Sequence, residues 1–306
     1  MLVRRIMARL RLAGPRALAR GPAPRLATCL ATCLVACASA PPHDDGHPVA
    51  LDEGLPPPPA SVVEPDPSLE PLGGEPFVEL DVEGHEPAVV SVPLGAFAPR
   101  PLIVATHGAG GRARVHCELW RHVVGDRAFV LCPRGRSMYP GLPERRNEAF
   151  YYVGHRQLGR EIEFAAAALE SGYAPYLDRT APIFVGYSQG ASMGALALPG
   201  HPLGFARAVL VEGGVGMYRE WNVATAVRFR EGGGERVLMV CGRVACRDPA
   251  RESVRHFERA GVGAKIIFVP GAGHTYDAEM QRQVAETFAW LTEGDDRWGS
   301  VSPSNR

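Results

Sequence analysis

The stretch from Ala181 to Gly194 limits what this chain can fold into more than any other part of it. Pro182-Ile183-Phe184-Val185 is an apolar run with β-favouring side chains, and Gly186 breaks it. Ser188 then stands between Gly186 and Gly190, and Ala191-Ser192-Met193-Gly194 continues in small, helix-compatible residues. This order predicts a strand, a tight turn and a helix, with Ser188 at the tip of the turn. A serine held there adopts a strained backbone conformation, tolerated only if the residues two positions before and after it are small. In a chain with 35 glycines the five-residue pattern alone recurs by chance, so its meaning depends on its surroundings.

Those surroundings are strand-like and helix-like runs in alternation. Residues 77–82 alternate apolar and polar as a half-buried strand does, and 88–92 reads as the partner strand. Residues 101–106 and 128–132 are almost wholly apolar, as strands covered on both faces are. Residues 207–211, 236–240 and 264–269 are further strands. Helical spacing is found over 156–169, over 249–260 with Pro249 near the start, and over 276–291. The expected fold class is therefore α/β: a doubly wound, mostly parallel sheet with helices on both faces and an N-terminal antiparallel hairpin. Sheets of this kind bind ligands at the carboxyl ends of their strands.

Three loops follow strands and carry reactive or permissive groups. His107-Gly108-Ala109-Gly110-Gly111 lets backbone N–H groups approach a ligand oxygen. The second loop presents Ser188. The third, Gly271-Ala272-Gly273-His274-Thr275-Tyr276, brings His274 over the strand ends. A serine hydroxyl needs a neighbouring base, and imidazole can take and return a proton near neutral pH. Of the ten histidines, His274 has the required place in chain order, whereas His107 is expected to shape its own loop. The aromatics at 150–152, in a long loop over 133–154, either line the site or pack beneath that loop.

In this order and spacing the three loops resemble the α/β-hydrolase superfamily over residues 77–292. Within it, the chain looks most like bacterial esterases of the polyhydroxybutyrate-depolymerase and dienelactone-hydrolase type. The resemblance implies Ser188 as nucleophile and His274 as base. It also implies an oxyanion hole from the backbone N–H groups of Gln189 and Ala109, with Gly108, Gly110 and Tyr187 at the substrate. The acid is expected a few residues after strand 236–240. Here Gly242 and Asp248 are further apart than the family spacing, and a Cys241–Cys246 bridge would loop the chain out and restore Asp248 to that place. Asp248 is the favoured acid and Glu212, directly after strand 207–211, the alternative. Asp248 before Pro249 would equally serve as a helix N-cap.

Only a short segment separates 212 from 235, so an open site without a large lid is expected, edged by Met217, Tyr218 and Trp221. The implied activity is hydrolysis of a small-molecule carboxylic ester through an acyl-enzyme, with no metal and no cofactor. A peptidase or polyester depolymerase on the same residues is one alternative. A catalytically silent envelope binding protein is another. The oligomeric state is left open.

Composition bears on location. Residues 1–36 hold seven arginines and no acidic residue, leaving 26 basic against 33 acidic residues in the remainder. That remainder does not suit a nucleic-acid partner. The apolar run from Leu26 to Ala36 is too short to span a bilayer and fits a signal peptide over 1–36. Leu34-Val35-Ala36-Cys37 resembles a bacterial lipobox, which implies lipidation of Cys37, export, and anchoring in the cell envelope, with the outer membrane favoured. Membrane contact is expected only through that anchor. Residues 37–76 are proline-rich and read as a disordered tether, the hydrolase-like domain as 77–293, and 294–306 as a polar tail. Four cysteines remain in the exported part, and local spacing favours the pairs Cys117–Cys132 and Cys241–Cys246.

Overall fold

The computed structural model describes residues 68–141 and 149–298. The expected signal segment 1–36, Cys37, the tether as far as 67 and the tail from 299 lie outside the described residues. Among the described residues no helix is long and apolar enough to cross a membrane.

Strand β1 (Phe77–Leu80) pairs antiparallel with β2 (Ala88–Ser91), with Phe77 opposite Ser91 and Leu80 opposite Ala88. The next strand in the chain, β3 (Arg100–Thr106), lies deeper in the sheet, because β4 (Phe129–Cys132) inserts between it and β2. A short ribbon of β5 (Arg136–Ser137) and β6 (Phe150–Tyr151) stands apart. Beyond β3 come β7 (Leu177–Tyr187), β8 (Arg207–Val211), β9 (Arg236–Cys241) and β10 (Gly263–Phe268). From β4 to β10 every neighbouring pair is parallel, and β2 meets β4 antiparallel.

Side-chain alternation along the strands makes two cores. In β3, Leu102 and Val104 face one core and Ile103 and Ala105 the other, all fully buried. Helices α1 (Ala113–Val124) and α6 (Ala278–Thr292) close one face with residues such as Trp120 and Phe288. Helices α2 (His155–Tyr173), α3 (Gln189–Ala197), α4 (Val223–Glu231) and α5 (Val244–Arg259) close the other. Burial on both faces explains why these strands read as continuous apolar runs. The parallel strands carry their carboxyl ends, and the loops that follow them, to one edge of the sheet.

Several boundaries differ from the sequence expectation. Residues 68–76 are docked on the domain and do not belong to a free tether. The Leu72 N–H donates to Ala96 O at 2.8 Å, the Gly95 N–H to Leu72 O at 2.7 Å, and the Tyr176 hydroxyl to Glu70 O at 2.8 Å. Of the expected tail, residues 294–298 are described and belong to the domain: the Trp298 ring is buried against Phe288, and Asp295 pairs with the buried Arg207 at 2.9 Å. Helix α4 arises within the short segment between 212 and 235, to which no element was assigned from the sequence. Its start is fixed by a capping box in which the Asn222 side chain accepts from the Thr225 N–H. Helix α5 begins at Val244 and carries Pro249 inside it, so Asp248 lies within the helix and caps nothing.

Both expected cysteine pairs have their sulfurs at bonding distance, with Cα separations of 6.0 and 5.5 Å. Cys117–Cys132 ties α1 to the end of β4 across 15 residues. A crosslink closing a loop of that length contributes about 3 kcal/mol, through its effect on the unfolded chain. The double variant Cys117→Ala/Cys132→Ala should therefore melt about 6–12 °C lower by calorimetry. An unchanged Tm would show that the bridge adds no stability.

Candidate active site

Ser188 follows β7 directly and sits at φ 52°, ψ −115°, the strained turn expected from its flanking glycines. Those glycines are required by clearance. A Cβ on Gly186 would lie 2.7 Å from the Ala191 Cα, and one on Gly190 would lie 2.5 Å from His107 O. The Ser188 N–H donates to Val211 O at 2.8 Å, which locks the turn against the neighbouring strand end. The Gly190 N–H donates to His107 O at 3.0 Å and joins the turn to the 107–111 loop.

That loop approaches the serine closely: a Cβ on Gly108 would stand 3.1 Å from the Ser188 Cβ. Gly108 thus provides clearance. The Gly110 N–H donates to Phe150 O at 2.8 Å, so it is engaged within the protein and is not available to a substrate as the sequence suggested. His107 is buried, and burial lowers its pKa. Its ring nitrogens face Gly108 O at 2.8 Å and Arg134 O at 2.9 Å, which suits a loop-shaping role. Tyr152 stacks on its ring at 4.7 Å and donates from its hydroxyl to Pro133 O. The Gln189 side chain accepts the Tyr152 N–H at 2.9 Å and is thereby turned to the scaffold. Its backbone N–H opens α3, where no intrahelical acceptor exists. Tyr152 therefore buttresses the site from beneath. Phe150 lines a separate hollow beside Phe77 and Arg112.

His274 lies between β10 and α6. Its Nε2 is 2.7 Å from the Ser188 Oγ, and its Nδ1 is 2.9 Å from Glu212 Oε2. The Tyr187 hydroxyl donates to His274 O at 2.9 Å, so Tyr187 anchors the histidine loop instead of presenting that hydroxyl to a substrate. Glu212 follows β8 at φ 51°, and its side chain is fully buried. Oε1 accepts the Gly242 N–H at 2.6 Å and the Arg243 N–H at 3.2 Å, and Oε2 accepts Arg243 Nε at 2.7 Å. A buried carboxylate is tolerated only with such partners.

The structure overturns the preference for Asp248. Only Gly242 and Arg243 separate β9 from α5, so no loop exists to carry a carboxylate back to His274. The Cys241–Cys246 pair bridges this junction and so holds the chain into the helix instead of looping it out. Asp248 is exposed on α5 and pairs with Arg247 at 2.8 Å. Arg243 was missed in the sequence. Its partners, Glu212 and His274, each lie 31 residues away, so no local signal marked it.

A cleft of about 620 Å³ opens at Ser188 and His274, walled by Ser192, Met193, Arg243 and Pro249. Met217 and Tyr218, 79% and 53% exposed, stand on its rim, and no lid covers it among the described residues. Trp221 is buried against Phe257 at 4.5 Å and does not reach the rim. Glu212, Cys241 and Cys246 cluster within 4.8 Å, but the two sulfurs are bonded to each other, so neither offers a thiolate to a metal.

Solved structures share this architecture. A protein assigned as a dienelactone hydrolase from Klebsiella pneumoniae subsp. pneumoniae MGH 78578 superposes with a TM-score of 0.54 at 17% identity, over 70% of this chain and 96% of that one. A carboxylesterase from Mesorhizobium loti gives 0.52 at 18% identity, over 70% and 99%. The fold is the α/β-hydrolase fold. A thermostable esterase, at 0.50 and 18% identity, matches 71% of this chain and 63% of its own. No family model and no curated protein matches the sequence.

One buried acid of this fold holds the turn after β4. Glu161, on α2, accepts the Gly135 N–H at 2.8 Å, and burial pushes its carboxyl up to about 7 from an ordinary 4.5. The folded state thus holds a proton that the unfolded chain releases first. Stability is fully present below the unfolded pKa and is lost as pH rises through the folded one. Glu161→Gln keeps the acceptor and removes the titration. Between about pH 5 and about pH 8 the wild-type Tm should fall relative to the variant's. A constant difference across that range would contradict the assignment.

Proposed function

We propose that the protein is a serine hydrolase that cleaves carboxylic esters through an acyl-enzyme. The observation that carries this reading is the alignment of Ser188 Oγ, His274 and the buried Glu212, with 2.7 Å from Oγ to Nε2 and 2.9 Å from Nδ1 to Glu212 Oε2. In this reading His274 Nε2 takes the Ser188 proton as Oγ attacks the ester carbonyl, and Nδ1–H donates to Glu212. The oxyanion is received by the N–H groups of Gln189 and Ala109. His274 then protonates the leaving alcohol, and a water activated the same way releases the acid. Glu212 holds the imidazole and offsets its charge without itself becoming protonated.

The fold neighbours named as esterases and as a dienelactone hydrolase agree with ester chemistry. The uncovered rim at Met217 and Tyr218 favours a second reading on the same residues, in which a polymeric ester lies across the cleft. The two cystines support a location outside the reducing cytosol, consistent with an exported, lipid-anchored envelope protein.

With p-nitrophenyl acetate as substrate, Ser188→Ala should lower kcat by about a million-fold and Glu212→Gln by about ten-thousand-fold. Asp248→Asn should remain within about twofold of wild type, as surface substitutions generally do. Full activity in Glu212→Gln, or collapse in Asp248→Asn, would move the acid back to α5. No turnover in the wild type would remove the esterase reading.

A further inference from the structure

Among the described residues, Arg243 is a charged group at the reacting atoms that the ester mechanism does not use. Its guanidinium is a planar fork set between acid and base. Nε donates to Glu212 Oε2 at 2.7 Å, and an Nη nitrogen lies 2.6 Å from His274 Nδ1. The same Oε2 is 2.9 Å from that Nδ1. A guanidinium nitrogen can only donate and an ionised carboxylate can only accept. Nδ1 must therefore be bare to bond Arg243 and protonated to bond Glu212. The two contacts exclude each other, and each fixes the opposite state at the other ring nitrogen.

With Nδ1–H on Glu212, Nε2 is bare and can take the Ser188 proton. With Arg243 on Nδ1, Nε2 carries the ring's proton, donates to Ser188 Oγ and cannot serve as base. We propose that Arg243 is a positioning residue that gates the tautomer of His274, holding a resting form until the guanidinium leaves Nδ1. This rests on the esterase reading. The exchange is neutral overall: a proton passes from Nε2 to water in the cleft, and water returns one to Nδ1. Two features let the gate open without dismantling the site. The Arg243 side chain is 46% exposed on the cleft wall, so its withdrawal uncovers little. Glu212 Oε1 meanwhile stays bonded to the backbone N–H groups of Gly242 and Arg243, at 2.6 and 3.2 Å, whatever the side chain does.

The test uses the full chain labelled with 15N-histidine, together with Arg243→Met and Arg243→Lys. Methionine keeps the stem and removes both contacts. Lysine keeps a cation beside Glu212 but has no fork to reach Nδ1 at the same time. In the wild type the His274 ring shifts should report a bare Nδ1 and a protonated Nε2, and in both variants the reverse. On p-nitrophenyl acetate both variants should gain about threefold or more in kcat with KM little changed. A protonated Nδ1 in the resting wild type would overturn the gate. So would a kcat that is unchanged or lower in both variants, or a gain confined to Arg243→Met, which would indicate charge and not the fork. If the wild type hydrolyses no ester, the esterase reading fails, and the ring shifts alone still decide whether Arg243 sets the tautomer.

Discussion

The site depends on keeping one carboxylate where water cannot reach it. Glu212 is fully buried, and moving a carboxylate out of water costs several kcal/mol even after relaxation. Its two oxygens are met by the backbone N–H groups of Gly242 and Arg243 and by the Arg243 guanidinium, and His274 Nδ1 lies 2.9 Å from Oε2. Those groups come from the β9–α5 junction and the loop before α6, so the carboxylate stays in place only if both strands end at the right height. The Cys241–Cys246 bridge spans that junction and constrains the turn that supplies two of the donors.

Close packing of backbone is what brings the parts together. Gly108 touches the Ser188 turn, Gly190 touches the 107–111 loop, and a Cβ on Gly242 would stand 2.4 Å from Gly273 O. Three loops that begin on different strands are thereby brought within hydrogen-bond reach. Support from beneath is polar: Tyr152 and the Gln189 side chain hold the 107–111 loop against the start of α3. Tyr187, one residue before the serine, holds the histidine loop by its carbonyl. In the proposed hydrolase reading, preorganisation of this kind supplies much of the rate, since donors already in place need no rearrangement as charge develops.

Much of this was legible in the sequence because local chemistry determined it. The glycines around Ser188, the apolar strands and the order of the three loops are short-range signals, and the structure brings Ser188 and His274 together as they implied. The acid was not legible in the same way. Asp248 and Glu212 differ in where α5 begins, and that depends on the two-residue junction after β9, on the bridge across it and on a helix that accepts Pro249 in its interior. Domain edges differ for a related reason: Leu72 and Asp295 are held by Ala96 and Arg207, partners distant in sequence, which composition does not record. Arg243 matters only through its distance from two side chains on other loops, and no spacing rule reveals that.

The account stands on Ser188 being an activated nucleophile, and covalent labelling tests this most directly. The full chain treated with a fluorophosphonate and mapped by peptide mass should carry a single adduct, on the peptide containing Ser188, and the adduct should be lost in His274→Ala. Absence of any adduct in the wild type, or an adduct on another residue with Ser188 unmodified, would contradict it.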